Sequence, residues 1–212
     1  MMNRFFPSLA AVALLAVAAG AHAEDEAGWV TLTDGKTFEG WKINESPDSW
    51  SIRDGAFVAN GPRSHLFYVG DDQPFTDFEL KVDVKAEANS NGGIYFHTTF
   101  QDEGWPKDGF ETQVNNTYAK DPRKTGSLYA VQDVHDVMIG DDEWWTQHII
   151  VRGKHVIVKV NGKTVVDYTE PEGQKPQTKD FARLFGKGTF ALQAHDPGST
   201  VYYRNIRVKR LP

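Results

Sequence analysis

Side chains that can do chemistry lie on one side of a short segment with the sequence Phe110-Glu111-Thr112-Gln113-Val114-Asn115. Side chains of a β-strand alternate between two faces, so Glu111, Gln113 and Asn115 share one face. A carboxylate and two carboxamides can bind hydroxyl groups, and the carboxylate can also take up a proton. This arrangement suits a polar ligand such as a sugar better than a hydrophobic ligand or a nucleic acid.

Two other segments combine a polar front with an apolar back in the same way. In segments 93–97 and 190–195, the odd-numbered residues are mostly polar or small, and the even-numbered residues are apolar. If the three strands are neighbours in one sheet, their polar sides form one surface, which we call the front. The front consists of Tyr95, His97, Glu111, Gln113, Asn115, Gln193 and His195. The alternative is a solvated sheet face, but such a face usually carries Lys, Glu, Thr and Arg, as segment 78–85 does. A ligand site is therefore the preferred interpretation.

Three residues of the front are candidates for catalysis, namely Glu111, His97 and His195. A carboxylate between two histidines could act as a base with orienting partners. The same three residues could form a two-histidine, one-carboxylate site for a divalent metal. No HExxH or similar spacing supports that site, so we predict no metal and no cofactor. His65 and His135 lie at loops or strand ends, from which they could rim the ligand site.

Two tryptophans are candidates for stacking on a sugar ring, because the apolar face of a pyranose packs well on an aromatic side chain. Trp105 lies in the loop before segment 110–115, and Trp145 follows the acidic turn 141–143. Both could instead be core residues. The predicted substrate-binding residues from the front are Tyr95, Gln113, Asn115 and Gln193.

Short β-strands separated by turn residues make up most of the chain. Segment 78–85 alternates apolar and charged residues with period two, which is typical of a half-buried strand. Asp54-Gly55 and Asn161-Gly162 lie between strand-like runs and predict hairpins, since a type I′ turn needs positive φ at both central residues. No long stretch has a helical period, and segment 179–185 is interpreted as a short helix or turn. This pattern predicts an all-β sandwich or barrel.

Composition and the first residues limit the class of protein. The formal net charge of -6 argues against binding to nucleic acid or to an anionic membrane surface. The absence of cysteine excludes disulfides and thiolate chemistry. Residues 1–23 have the pattern of a secretory signal, with an apolar run before Ala21-His22-Ala23. We therefore predict one domain, 24–212, that is periplasmic or secreted and has no membrane contact after cleavage.

Nine segments, in this order, carry a resemblance to one known family, and the resemblance covers the chain from Trp29 to Leu211. They are 32–41, 50–55, 78–80, 91–94, 109–113, 125–129, 161–162, 192–195 and 203–206. The first is similar to the family's opening LFDGKTLDGW. Each segment alone is a weak signal, but their order is specific. The chain thus resembles the 3-keto-disaccharide hydrolase domain family.

The resemblance implies a concanavalin A-like jelly-roll sandwich of two antiparallel sheets with a concave ligand face. It also implies a periplasmic or secreted hydrolase or lyase that acts on an oxidised sugar, a 3-keto-glycoside. Glu111 and Gln113 match the family's pattern, and Tyr129 is a substrate-binding candidate because it ends a matched segment. The chain departs from the family at Gly92, where Ser is frequent, and at His97, where we expect Arg. No role of His97 is therefore carried over.

The number of carboxylates on the front favours this chemistry. Ordinary glycosidases use two carboxyl groups that flank the bond, whereas the front has Glu111 alone, and Asp133 and Asp136 fall outside it. A ketone at C3 acidifies the C2 proton, so one base can abstract it and the C1 substituent can leave by elimination before water adds. We expect Glu111 or a front histidine as the base, with His97, His195 and Gln113 as donors or acid. The alternative function is a non-catalytic, lectin-like carbohydrate-binding module, and an ordinary glycoside hydrolase ranks last.

Overall fold

Thirteen β-strands form in residues 27–212, the part of the chain that this computed structural model describes. They are β1 (Val30–Thr31), β2 (Trp41–Ile43), β3 (Trp50–Arg53), β4 (Ala56–Ala59), β5 (Ser64–Tyr68), β6 (Phe78–Ala86), β7 (Asn91–Thr98), β8 (Phe110–Asn115), β9 (Trp144–Arg152), β10 (His155–Val160), β11 (Lys163–Thr169), β12 (Thr189–Ala194) and β13 (Val201–Arg210). A short 3-10 helix, Pro47–Ser49, precedes β3. The predicted signal segment, 1–23, lies outside the described residues. Within them, no helix is long and apolar enough to cross a membrane.

The strands form two antiparallel sheets. The first sheet has the order β11-β10-β9-β6-β13-β4-β3, and β1 also pairs with β13. The second sheet has the order β2-β5-β12-β7-β8. The predicted concanavalin A-like jelly-roll sandwich is thereby confirmed.

The hydrophobic core lies between the two sheets. Every second residue of β6 is buried, from Phe78 to Ala86, as its alternating sequence predicts. Phe78 meets the other sheet, because its ring centroid lies 5.9 Å from that of Phe96 and 5.0 Å from that of Phe190. Burying one such side chain contributes about 1.5–3 kcal/mol. The apolar backs of β7, β8 and β12 therefore hold this sheet in place, with the front turned away from the core.

Both predicted hairpins are confirmed. Asp54 and Gly55 connect β3 to β4 with φ values of 51° and 77°. Asn161 and Gly162 connect β10 to β11 with φ values of 48° and 80°. Glycine and asparagine tolerate these left-handed conformations better than other residues do, which explains why these two dipeptides are reliable turn signals.

The three strands that carry the front are neighbours, in the order β12-β7-β8, so the condition for a single front is met. All residues of β7 and β8 are nevertheless buried on both faces. One reason for this burial is the segment 125–129, which pairs with the edge of β8 that no described strand occupies. The backbone amide of Gly126 donates to the carbonyl of Gln113 and that of Tyr129 to the carbonyl of Glu111, both at 2.9 Å. The front is thus a covered site rather than a solvated sheet face.

Candidate active site

A pocket forms on the front beside Glu111, next to the position where Gly93 of β7 has no side chain. Gly93 of β7 is opposite Gln113 of β8. A Cβ atom on Gly93 would lie only 2.5 Å from Oε1 of Glu111, so any side chain here would displace the carboxylate. Because Gly93 has none, the Glu111 side chain can occupy this position, and the pocket opens beside it. We call this space the Gly93 pocket.

The Gly93 pocket has a volume of about 200 Å³. The sheet and the residue that follows β12 supply half of its lining, namely Asn91, Tyr95, Glu111, Gln113, Gln193 and His195. Loops supply the other half, namely Trp105, Asp121, Tyr129, Gln177, Phe181 and Arg183. Seven of the ten predicted site residues line this pocket. They are Tyr95, Trp105, Glu111, Gln113, Tyr129, Gln193 and His195.

His97 does not reach the pocket, and its predicted place on the front is wrong. The pairing of β12 with β7 shifts between Thr98 and Phe96, so His97 is an extra residue in a β-bulge with φ of 56°. A bulge breaks the alternation of side chains on which the prediction relied. The His97 ring instead lies near Phe78 and Phe185, and its Nε2 donates to the carbonyl of Thr76 at 2.8 Å.

Asn115 is on the predicted face but holds a loop instead of lining the pocket. Its Nδ2 donates to the carbonyls of Asp121 and Arg123 at 3.0 and 2.8 Å. Its Oδ1 accepts the backbone amide of Tyr118 at 2.9 Å. Asn115 therefore fixes the loop that brings Asp121 to the pocket wall.

Trp145 is a core residue, so its predicted role in sugar stacking is wrong. The side chain is 2% exposed and belongs to the core between the sheets. Its indole Nε1 donates to Oε1 of Gln147 at 3.2 Å. The alternation in β9 turns Trp145 inwards, and nothing in its position after an acidic turn could have indicated this direction.

Glu111 is a buried carboxylate of the pocket, and its surroundings shift its pKa. Burial raises its pKa, and the nearby Arg183 cation only partly opposes this effect. Gln193 Nε2 donates to Oε1 of Glu111 at 3.1 Å, and the Tyr95 hydroxyl also donates to the carboxylate. A carboxylate with a raised pKa is a stronger base in its ionised form. Glu111 therefore has the electrostatic setting of a general base.

Arg183 was not predicted as a site residue. It lies in the segment interpreted as a short helix or turn, and the structure shows an irregular loop, 170–188, between β11 and β12. The Arg183 side chain is 6% exposed, and its Nη2 lies 3.7 Å from Oε2 of Glu111. Strand alternation gives no information about a loop, so only the fold could place this cation beside the predicted base.

Asp121 supplies a second carboxylate that the front alone does not show. It comes from the loop after β8 and lines the pocket together with Tyr129. Nη1 of Arg123 lies 3.5 Å from Oδ1 of Asp121. Asp133, the acid considered from the sequence, instead pairs with Nε of Arg123 at 3.1 Å. The strands thus contribute one carboxylate, as predicted, but the complete pocket contains two.

His195 forms a close pair with the next residue. Its Nδ1 and Oδ2 of Asp196 are 2.6 Å apart. Burial alone would raise the pKa of Asp196, but hydrogen bonds from His195, the Gly198 amide and the Ser199 hydroxyl outweigh it and lower this pKa. An ionised Asp196 fixes the imidazole orientation with Nδ1 as the donor and leaves Nε2 for other chemistry.

Trp105 and His65 extend the site towards β5. The Trp105 ring centroid lies 5.4 Å from that of His195 and 5.5 Å from that of His65. His65 is fully buried and is paired with Gln193 in the sheet. Burial lowers the pKa of His65 to about 3, so the ring is neutral. His65 is the second residue of β5, close to a strand end as predicted, but its ring is buried beside Trp105 and does not line the pocket.

Several buried polar atoms around the pocket have no hydrogen-bond partner within residues 27–212. They are Asn91 Oδ1, Gln113 Nε2 and Oε1, Arg183 Nε and Nη1, and Gln193 Oε1, each on a residue that lines the pocket. Buried polar groups in folded proteins are nearly always paired, because leaving one unpaired costs about 1–3 kcal/mol. The arrangement is therefore suited to a ligand with many hydroxyl or carbonyl groups.

The proposed metal-ligand trio does not assemble. Glu111 and His195 line the pocket, but His97 lies against the core. In residues 27–212, no group of three or more His, Cys, Asp or Glu side chains is placed to hold a metal ion. The donors that converge on the pocket are mainly amides, a guanidinium and one imidazole, which suit a sugar.

A family model and a related protein of known name both place this chain beside enzymes of 3-keto sugars. Residues 28–209 match the family model described as the 3-keto-alpha-glucoside-1,2-lyase-like domain. A 3-keto-disaccharide hydrolase of Bacteroides thetaiotaomicron is 28% identical over 237 residues, which cover 88% of this chain and 80% of that protein.

Solved structures agree on the fold. A candidate glycosyl hydrolase of Parabacteroides distasonis matches with a TM-score of 0.74 at 23% identity, over 90% of this chain and 97% of that one. A carbohydrate-binding module of Bacillus subtilis matches with a TM-score of 0.57 at 14% identity, over 80% of this chain and 95% of that one. Likeness at these identities shows the fold, which hosts both enzymes and binding modules.

Proposed function

The chain belongs to the 3-keto-alpha-glucoside-1,2-lyase-like domain family, and from this membership we propose that it cleaves 3-keto-glycosides, including 3-keto-disaccharides. The relative named a 3-keto-disaccharide hydrolase supports this substrate class. The observation that carries the proposal is the buried carboxylate of Glu111, with a raised pKa, beside unpartnered polar groups in a pocket of about 200 Å³. A pocket of this kind can hold one sugar ring and remove a proton from it.

The first step is the removal of the C2 proton by Glu111. The proton moves to the carboxylate, the C–H electron pair forms a C2–C3 double bond, and the ketone oxygen takes the negative charge. The C3 ketone makes this proton acidic enough for a carboxylate base, especially one whose pKa is raised by burial. Gln113 and Gln193 line the same space and can hold the hydroxyl groups of the ring.

The second step is the departure of the group at C1. The charge on the C3 oxygen returns to form the ketone, a C1–C2 double bond forms, and the C1–O bond breaks. His195, in its protonated form and held by Asp196, gives a proton to the leaving oxygen. Water can then add its oxygen to C1 and a proton to C2, and the sum of these steps is hydrolysis. Without the addition of water, the protein would be a lyase.

A non-catalytic carbohydrate-binding module is the second candidate function. The likeness to a carbohydrate-binding module of Bacillus subtilis favours it. A lectin needs polar and aromatic contacts, which the Gly93 pocket has in Gln113, Gln193 and Trp105. It does not need a base, so a buried Glu111 with a raised pKa would be an unexplained cost in stability.

We further propose that the mature protein, 24–212, acts in the periplasm or outside the cell, because residues 1–23 have the pattern of a secretory signal. A sugar is the proposed partner, with neither nucleic acid nor membrane. The mass of the protein purified from its native cell tests the cleavage. A mass that still includes residues 1–23 would contradict it.

The function is tested by incubating the purified protein with matched glucosides that differ only at C3. We expect release of the C1 substituent from the 3-keto-glucoside and none from the ordinary glucoside, measured by chromatography of the products. Binding of either sugar without any product would support the carbohydrate-binding module. Release from both at similar rates would indicate an ordinary glycoside hydrolase that uses Glu111 together with Asp121.

A further inference from the structure

We propose that Arg183 is a catalytic residue that binds the C3 oxygen of the sugar and thereby makes the Gly93 pocket selective for a ketone at that position. This inference rests on the proposed function, because it concerns the charge that C2 deprotonation creates. It assigns a specific task to a residue outside the strands and outside the segments that carry the family resemblance.

The first argument is the state of the guanidinium group. Arg183 is 6% exposed, and its Nε and Nη1 atoms have no hydrogen-bond partner in the part of the chain that the structure describes. A buried arginine normally satisfies all its donors, because an unpaired buried charge is costly. Two unpaired donors on a residue that lines the pocket therefore indicate that an acceptor oxygen of the ligand completes the arrangement.

The second argument is the distance to the base. Nη2 of Arg183 lies 3.7 Å from Oε2 of Glu111. The reaction needs a base at the C2 proton and a donor at the C3 oxygen, and these two atoms belong to adjacent carbons of one ring. A base and a donor that serve them must be neighbours, as Glu111 and Arg183 are. The donor then faces the oxygen on which negative charge develops.

The third argument is that the loop holds Arg183 in place on both sides. After Arg183, the amide of Phe185 donates to Oε2 of Glu170 at 2.8 Å, and the amide of Gly186 donates to Nδ1 of His97 at 3.3 Å. Before it, the amide of Ala182 donates to the carbonyl of Lys107 at 2.8 Å. A donor fixed before the reaction stabilises the developing charge without a reorganisation cost.

The test measures proton exchange separately from bond cleavage. The probe is the 3-keto derivative of 1,5-anhydroglucitol, which has no exocyclic substituent at C1 to leave. In deuterated water, wild-type protein should exchange the C2 proton, followed by NMR. Arg183→Gln should slow this exchange about 10²–10³-fold, the usual effect of removing one oxyanion donor. Arg183→Lys should restore part of the rate, because it restores a positive charge.

The pH dependence of the exchange adds a readout that a merely structural role would not change. The Arg183 cation lowers the pKa of Glu111 against the effect of burial. In Arg183→Gln, the acidic limb of the exchange rate should therefore move to higher pH, and in Arg183→Lys it should move less. The control is Arg53→Gln, because Arg53 is exposed on β3 in the other sheet. This variant should change neither the exchange rate nor the pH of its acidic limb.

The outcomes separate this proposal from the proposed function. Exchange by wild-type protein that is unchanged in Arg183→Gln overturns the role of Arg183 and leaves the proposed function intact. The absence of both exchange and cleavage in wild-type protein overturns both. Thermal unfolding shows whether Arg183→Gln folds. If it does not, Arg183→Lys alone is used. A wild-type exchange rate in Arg183→Lys, with its acidic limb at the wild-type pH, overturns the proposal.

Discussion

At the scale of single residues, Glu111 is subject to two opposing effects. Burial favours its neutral form, whereas Arg183, Tyr95 and Gln193 favour its ionised form, and burial is the larger effect. A base must be ionised to accept a proton. The raised pKa therefore links the basic strength of Glu111 to a loss of the active form at acidic pH.

The first prediction from this balance is a pH profile. The kcat/KM for a 3-keto-glucoside should fall towards acidic pH, with a midpoint above 4.5, the ordinary value for a glutamate. The fall occurs on the acidic side because protonation removes the base. Initial rates between pH 4 and pH 9 in buffers of constant ionic strength measure it. A flat profile down to pH 4 would contradict the assignment of Glu111 as the base.

The second prediction at this scale separates the two carboxylates of the pocket. Asp121→Asn should lower kcat less than tenfold, because Asp121 lies on a loop wall and the keto mechanism needs one base. In an ordinary glycosidase, both acids are essential. Steady-state kinetics with the 3-keto-glucoside measure the effect. A loss in Asp121→Asn as large as in Glu111→Gln would favour the two-acid mechanism.

Strand residues of the site could be predicted from the sequence because their directions follow from the backbone alone. Glu111 and Gln113 of β8 and Gln193 of β12 point where alternation puts them. Arg183 and Asp121 could not be predicted, because the direction of a loop depends on what it packs against. Identifying them required the contacts with Glu170 and Asn115 that fix their loops.

At the scale of elements, the bulge in β7 determines the role of His97. The extra residue turns the ring away from the front and towards loop 170–188. There, Nε2 donates to the carbonyl of Thr76 and Nδ1 accepts the amide of Gly186. We therefore propose that His97 is a positioning residue that acts through the loop carrying Arg183.

The prediction that follows concerns two variants of His97. The Oδ1 of asparagine lies close to the position of a histidine Nδ1, so His97→Asn should keep the bond to Gly186 and most of kcat. His97→Leu removes the acceptor and should lower kcat about tenfold with a smaller change in KM, because Arg183 is displaced. Steady-state kinetics test both.

The matched control is His148→Gln, because His148 pairs with Glu79 on the other sheet at 2.9 Å. It should leave kcat unchanged. Equal losses in His97→Asn and His97→Leu would show that His97 does not act through its Nδ1 acceptor.

The elements themselves could largely be predicted from the sequence. Period-two runs and the Asp-Gly and Asn-Gly turns gave the correct hairpins, since local conformational preferences decide both. The bulge at His97 and the edge segment 125–129 could not be predicted. They depend on the register between strands that are far apart in the sequence.

At the scale of the whole molecule, one buried histidine links the site to stability. His65 lies under Trp105 with both ring nitrogens unpaired, and burial lowers its pKa from 6.5 to about 3. Between these values, the unfolded chain binds a proton that the folded chain does not. The contribution of neutral His65 to stability is therefore fully present above pH 6.5 and is lost as the pH falls towards 3, by at most about 1.4 kcal/mol per pH unit.

The corresponding prediction compares wild-type protein with His65→Phe, a substitution that keeps a ring between Tyr95 and Trp105. The free energy of unfolding of the variant should fall less steeply between pH 6.5 and pH 4.5. Urea titrations at several pH values measure it. Identical slopes for the two proteins would show that His65 does not contribute to acid sensitivity.

The two-layer architecture explains why the site is a pocket partly covered by loops. The core fixes the backs of β7, β8 and β12, and loops from both sides then cover their front. An open lectin-like groove would leave Glu111 in water with an ordinary pKa. Covering it gives one buried base beside one buried cation, which is the arrangement that the proposed reaction requires.

The most direct test is the release of the C1 substituent from a 3-keto-glucoside by wild-type protein and by Glu111→Gln. Glutamine has the same shape as glutamate but cannot accept the C2 proton. We predict that wild-type protein releases the product and that the variant still binds the sugar but is slower by about 10²–10⁴-fold, the usual contribution of a general base. Turnover by Glu111→Gln at the wild-type rate would contradict the account.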